Sequence, residues 1–264
     1  MYKRQFILPA MVAGIGAATW ALLNQTPLPR PAASSLPLAA CALLIWALEF
    51  RFPAHAAWFR KPDLKDVVLL VVNRLVDAGV LASMVILMSM VTAKSPVTLP
   101  WPTHWPVVLQ VVLGLLLAET LRYAIHRLSH REGFWWRIHT THHEPNRMYL
   151  LNGPRLHPLN YLWVAGAHGV PMLALGASLD VVLVVVNVTA LFVVFQHANV
   201  KLRFGGLNKV FATPDVHRLH HARDMPAGGV NYAIVLLVVD RIFGTYAPAR
   251  PVEANGIGLA KKER

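Results

Sequence analysis

A single cysteine, Cys41, stands in 264 residues, and it lies inside an apolar run. No disulfide and no cysteine-ligated cluster can form within one chain. Charge is scarce as well: 14% of residues are charged, against about 25% in an average soluble domain. Acidic residues are scarcest, 13 against 25 Lys and Arg. No GxGxxG fingerprint offers a dinucleotide or flavin site. The Glu-x-x-His pairs of soluble di-iron bundles are missing too. What is abundant is apolar sequence, 55% of the chain, gathered into runs of membrane-spanning length. The net charge of +12 does not imply nucleic acid, because aromatics do not alternate with the basic residues as a base-stacking surface requires.

Apolar runs fall at 5–23, 37–50, 66–92, 107–125, 161–176 and 179–196. A helical span needs roughly 20 residues, so the first, third and fourth qualify, while 37–50 is short. Residues 161–196 read as a helical hairpin broken near Gly176 and Ser178. The first run lacks a small-residue cleavage site before a soluble domain and is read as a span. The predicted fold is an all-α polytopic bundle with a histidine-rich helical cap. The expected organisation is a transmembrane region of about three spans over 1–105, a catalytic domain over 106–250 and a basic tail over 251–264.

Lys and Arg orient the bundle. Lys3 and Arg4 precede the first span, Arg51, Arg60, Lys61 and Lys65 follow the second, and six arginines lie between Arg122 and Arg155. The opposite loops hold Arg30 and Lys94. The bias puts both termini, 122–158 and everything beyond 197 in the cytoplasm. Arg74 and Asp77, three apart on one helix face, read as an ion pair near the cytoplasmic end with Arg74 snorkelling; the alternative is a functional charge at membrane depth.

Three histidine boxes stand on the side assigned to the cytoplasm: His126 and His130 (HxxxH), His139, His142 and His143 (HxxHH), and His217, His220 and His221 (HxxHH). Residues three and four apart share a helix face, so each box is expected to aim its imidazoles in one direction. Thr213-Pro214 predicts a helix start before the third box. Unligated, so many clustered imidazoles would leave buried donors unpaired; a metal accepts neutral imidazole as ligand. Eight ligands exceed one tetrahedral site, which favours two metals. Imidazole suits zinc, copper, iron and nickel alike, and a metal-binding or metal-transport protein without oxygenase activity is the rival reading. Transport predicts ligands near the bilayer midplane, whereas the boxes lie beyond the span ends.

At HRLSH, WWRIHTTHH, RLHP, FQHAN, PDVHRLHH and NYAIVLLVVDRIFGTY, spanning about 116–246, the chain resembles the fatty acid hydroxylase and sterol desaturase superfamily of membrane di-iron enzymes. The resemblance implies two iron ions held by the eight box histidines, O2 as co-substrate, and hydroxylation or desaturation of a membrane lipid. It also implies electrons from an external reductase, ferredoxin or cytochrome, and the chain offers no flavin or iron–sulfur site of its own. Some members recruit further histidines, for which His157 and His197 are the candidates, as ligands or as hydrogen-bonding neighbours. His55, His104 and His168 are expected to take no part. A ligating imidazole usually gives its other N–H to a carboxylate or carbonyl; Glu119, Tyr123, Asn231 and Asp240 are candidates for that support, as are Glu144 and Asn146.

Overall fold

The computed structural model describes residues 5–94, 100–225 and 229–259; Lys3, Arg4, Lys261, Lys262 and Arg264, which entered the charge argument, lie outside them. The described residues form α1 (Ile7–Gln25), α2 (Arg30–Arg51), α3 (Leu64–Lys94), α4 (Val107–Ser129), α5 (Phe134–His143), α6 (Pro158–Ala174), α7 (Leu179–His197), α8 (Pro214–His220) and α9 (Val238–Ile242). Among them there is no strand beyond isolated bridges. Five helices are long and apolar enough to cross a membrane: α1, α2, Leu64–Leu87 of α3, α4 and α7. Large apolar side chains such as Leu43, Leu75 and Val108 face outward, which suits lipid and not water. The protein is a multi-pass, all-helical membrane protein.

The second span is longer than the run at 37–50 suggests. Pro31 opens α2 in its first turn, where the missing N–H costs nothing, and the helix continues through Pro37. The broken hydropathy of Pro31–Pro37 hid the first two turns. The hairpin forms as expected. α6 and α7 are joined by a turn in which Gly176 has φ 95°, a conformation open to glycine.

α7 is apolar on every face, as a helix at the centre of a bundle must be. Leu191, Phe192 and Phe195 pack with Leu8, Ile15 and Ile45 in the largest core cluster. Asn187, midway along the helix, donates to Thr19 Oγ1 at 2.9 Å and to the Ser34 carbonyl at 2.6 Å, tying α7 to α1 and α2. α4 approaches closely at Gly114, where a Cβ would lie 2.7 Å from Met172 Sδ and 2.9 Å from Val185. A larger residue there would force α4 off α6 and α7.

The two ends of the bundle are distinct. At one end, 52–63, 130–157, 198–225 and 229–259 meet. Arg147 donates to the carbonyls of Trp58, Arg60 and Lys61, and Lys201 N donates to the Phe52 carbonyl at 2.7 Å. At the other end Arg30 pairs with Asp180 at 3.1 Å and Trp101 N donates to the Leu175 carbonyl at 2.9 Å. The histidine end is clamped by a buried network. Asp66, fully buried, accepts from Tyr149 and Arg155, while Arg155 also holds Glu144 at 2.6 Å and the Thr141 carbonyl at 2.9 Å. This network fixes α5 and the segment after it against α3.

Candidate metal centre

α4 delivers His126 and His130 where it leaves the bundle, α5 delivers His139, His142 and His143, α7 ends on His197, and α8 carries His217 and His220 with His221 at its C-cap. Thr213 stands at the N-cap of α8 with Pro214 behind it, as the dipeptide predicts. Its hydroxyl does not cap the helix, however; it donates to Asn208 Oδ1 at 2.5 Å.

These nine imidazoles fall into two adjoining groups, in each of which one nitrogen per residue lies within 4.8 Å of all the others. One group is His126, His130, His139, His143 and His220; the other is His142, His197, His217 and His221. The boxes do not each aim in one direction. A residue four along a helix lies 40° from its partner and a residue three along lies 60° the other way. Each HxxHH therefore splits: the i, i+4 pair goes to one group and the middle histidine to the other. His139 and His143 leave His142 aside, and His217 and His221 leave His220 aside. The two groups touch where His143 stacks on His221, ring centres 4.2 Å apart.

Protonation is readable from the hydrogen bonds. A carbonyl can only accept, so an imidazole nitrogen bonded to one carries the hydrogen. His126 Nδ1 meets the Tyr232 carbonyl at 2.6 Å, His220 Nδ1 the Val230 carbonyl at 2.8 Å, His142 Nδ1 the Arg155 carbonyl at 3.2 Å and His197 Nδ1 the Val193 carbonyl at 2.7 Å. His139 Nδ1 meets Asn160 Oδ1 at 2.8 Å. In all five the lone pair is then on Nε2, pointing inward. His142 and His197 bring two such lone pairs to 3.2 Å of each other. That is the spacing of two nitrogens each about 2.1 Å from a shared ion, as in zinc–imidazole bonds. Nε2 of His126, His139, His143 and His220 is buried without a hydrogen-bond partner.

Protons do not fill these positions. None of the nine side chains is more than 8% exposed, and burial disfavours the imidazolium. Burial lowers the pKa of His139 to about 4, against its bond to Asn160, and that of His220 to about 3. Burial and then the neighbouring imidazoles hold His142, His143, His217 and His221 well below the ordinary histidine value. Buried, neutral, inward-facing nitrogen lone pairs are what a divalent transition-metal ion requires of a site.

The four supporting candidates do not touch the imidazoles. They build the loop that does. Glu119 accepts from the N–H groups of Ile234 and Val235, both at 2.8 Å, and Asp240 from those of Tyr232 at 2.9 Å and Ala233 at 3.0 Å. Thr245 joins Asp240 at 2.6 Å and Tyr123 at 2.9 Å. Asn231, at φ 57°, exchanges two hydrogen bonds with Ala247. Together they hold the Val230 and Tyr232 carbonyls against His220 and His126. Glu144 pairs with Lys65 and Arg155, and Asn146 is exposed. His157 lies outside both groups: it caps α6, its Nδ1 accepting from Leu159 N at 3.2 Å. His55 and His104 are also outside, and His168 bonds Arg122. The residue that sequence reading missed is Asn160, which orients His139 and is itself held to Ser129 at 3.1 Å.

A cavity of about 540 Å³ opens from the histidines into the bundle, with His126, His139, His142, His197 and His217 in one wall and apolar side chains of α2, α3, α6 and α7 in the others. A second, of about 630 Å³, continues toward the far end and shares Ser35, Leu38, Arg74, Asp77 and His168 with the first. Arg74 and Asp77 do form an ion pair, at 3.4 Å; they line these cavities, and Arg74 also donates to the Tyr161 hydroxyl.

Residues 111–245 match the fatty acid hydroxylase family. The ornithine lipid hydroxylase OlsE of Rhizobium tropici is 39% identical over 163 residues, 61% of this chain and 49% of that protein. Alkylglycerol monooxygenase of Homo sapiens is 31% identical over 148 residues, 56% of this chain and 32% of that protein; that of Caenorhabditis elegans is 27% identical over 165 residues, 62% and 32%. The chain thus spans about half the length of the first relative and about a third of the other two. No solved structure matches. The matched stretch is just over half of the chain and contains all three boxes, and the protein belongs to the fatty acid hydroxylase family.

Proposed function

We propose that this protein is an O2-dependent lipid hydroxylase or desaturase whose nine convergent histidines hold a pair of iron ions on the cytoplasmic side of the membrane. The observation that carries the reading is the facing lone pairs of His142 and His197, 3.2 Å apart, at the mouth of an apolar cavity between membrane helices. His126, His130, His139, His143 and His220 would hold one ion, and His142, His197, His217 and His221 the other. Bound iron supplies the activation of O2 and the removal of hydrogen from an unactivated C–H bond. In hydroxylation one oxygen atom enters the lipid and the other leaves as water, with two electrons and two protons consumed. In desaturation the lipid loses two hydrogens and both oxygen atoms leave as water.

The chain's own residues perform the remaining tasks. The Tyr232, Val230, Arg155 and Val193 carbonyls and Asn160 fix the tautomer and direction of five of the nine rings, which sets ligand basicity. The cavity walls keep water from the reacting carbon and hold the lipid beside the histidines. Iron, and not another imidazole-binding metal, is drawn from the family. A lipid substrate is drawn from the ornithine lipid hydroxylase and alkylglycerol monooxygenase relatives and from the cavity. Electrons would come from a separate protein docking at the basic end of the bundle, where an acidic surface is complementary. The same basic residues, Arg51, Arg60, Lys61, Arg127, Arg131 and Arg137 at the histidine end against Arg30 at the other, support the cytoplasmic orientation.

Comparing the lipids of cells with and without the gene, grown in oxygen, tests the reaction. A lipid gaining one oxygen or losing two hydrogens only when the gene is present is the expected result. An identical lipid profile under conditions where the protein is present with its metal would refute it.

A further inference from the structure

Four residues before His126, and so about 6 Å back along α4 toward the middle of the bundle, Arg122 is 5% exposed. Its guanidinium contacts the ring nitrogens of His168 at 2.5 and 3.3 Å, and its Nε is buried without a hydrogen-bond partner. No carboxylate lies at ion-pair distance from it among the described residues. Glu119, one turn away on the same helix, spends both oxygens on the Ile234 and Val235 amides, and Asp77 lies 3.4 Å from Arg74. Both carboxylates attract Arg122 only from beyond ion-pair distance, and His168 offers it a neutral acceptor. A guanidinium within a membrane bundle is costly unless an anion compensates it. Arg122 lines the cavity that reaches the histidines, together with Arg74, Asp77, Tyr161 and His168. Beyond this cluster the second cavity is lined by apolar residues including Leu81, Met84, Leu173 and Leu183.

We propose that Arg122, positioned by His168 and assisted by Arg74 and Tyr161, receives the acidic group of the lipid substrate, a carboxylate or a phosphate monoester, with hydrocarbon chain filling the deeper apolar cavity. The planar guanidinium fork matches either anion with two parallel hydrogen bonds. Arg122 is then the residue that selects acidic amphiphiles over neutral ones of the same chain. Calling the lipid a substrate rests on the oxygenase reading above; the binding itself does not.

The test uses the full chain in nanodiscs of phosphatidylcholine, with oleic acid, oleyl phosphate and oleyl alcohol titrated as ligands of equal chain length. At least one acid should bind about tenfold or more tightly than the alcohol, the difference one charge-assisted bond provides. Which acid binds better distinguishes a carboxylate from a phosphate lipid, and inorganic phosphate should not compete. R122Q should abolish the preference and R122K retain part of it, with alcohol binding unchanged in both. Equal binding of all three ligands to the unaltered protein overturns the proposal, with no variant required. So does a preference that survives in R122Q, or competition by inorganic phosphate as effective as that of the lipid. Acid preference without any oxidised product supports the site and counts against the oxygenase reading. Oxidised product without acid preference does the reverse.

Discussion

Two buried polar regions face one cavity, and they have opposite deficits. The histidine groups present neutral nitrogen lone pairs converging to 3.2 Å, an arrangement that a cation would satisfy. One helical turn away on α4, Arg122 presents a buried cation with no carboxylate at ion-pair distance among the described residues. Elsewhere the same bundle compensates its buried charges carefully: Asp66 meets Arg155, and Arg218 meets Asp215 at 3.2 Å. Several of the buried polar atoms without a partner, among them Arg122 Nε and Nε2 of His126 and His139, belong to residues lining the first cavity, where ligands can complete them. One region calls for cations, the other for an anion.

Substitutions that hit one region and spare the other put this contrast at risk. The largest effect is expected from His143→Ala and His221→Ala, each of which takes a nitrogen from a group that shares the stacked contact. Bound metal, measured by plasma mass spectrometry, and oxidised product should both be lost, while the preference for oleic acid or oleyl phosphate over oleyl alcohol persists. Full product from either variant would break the assignment. Next comes Asn160→Ala, which frees the His139 ring without removing a ligand; metal affinity should fall about 10–100-fold, read from a chelator titration. Acid acts more broadly. Unfolded histidines take protons near 6.5, whereas folded His139 and His220 take them only near 4 and 3. Between those values the unfolded chain binds more protons. Stability of the metal-free protein should thus be intact above pH 6.5 and decline as pH falls toward 4, visible as a falling thermal midpoint. The smallest effect belongs to His157→Ala: about 1 kcal/mol at most from the lost cap on α6, with unchanged metal content.

The box histidines and the long spans were legible because each rests on local spacing and composition. His126 with His130, and the apolar stretch of α7, announce themselves within a few residues. The division of each HxxHH between two groups follows from helix geometry, yet spacing alone does not say that two recipients exist on different sides of α5 and α8. His197 joins its group because α7 ends beside His142 and His217, a meeting of segments 55 and 20 residues apart. The supporting residues were legible by type and not by partner. Glu119 and Asp240 hold backbone amides, and it is the backbone carbonyls of Tyr232 and Val230 that meet the imidazoles. Backbone acceptors leave no mark in sequence. Asn160 left only a weak one, an amide two residues into α6 after His157-Pro158. Arg122 looked like one more basic residue beyond a span end until α4 proved to continue to Ser129.

Two metal sites and a merely polar rim of histidines differ in how much metal the chain holds. Metal analysis of the full chain, purified without chelators and supplied with ferrous iron under anaerobic conditions, separates them. Two metal ions per chain are expected, falling below two in both His143→Ala and His142→Ala, since these residues belong to different groups. A single ion per chain, or none, in the unaltered protein would contradict two metal sites.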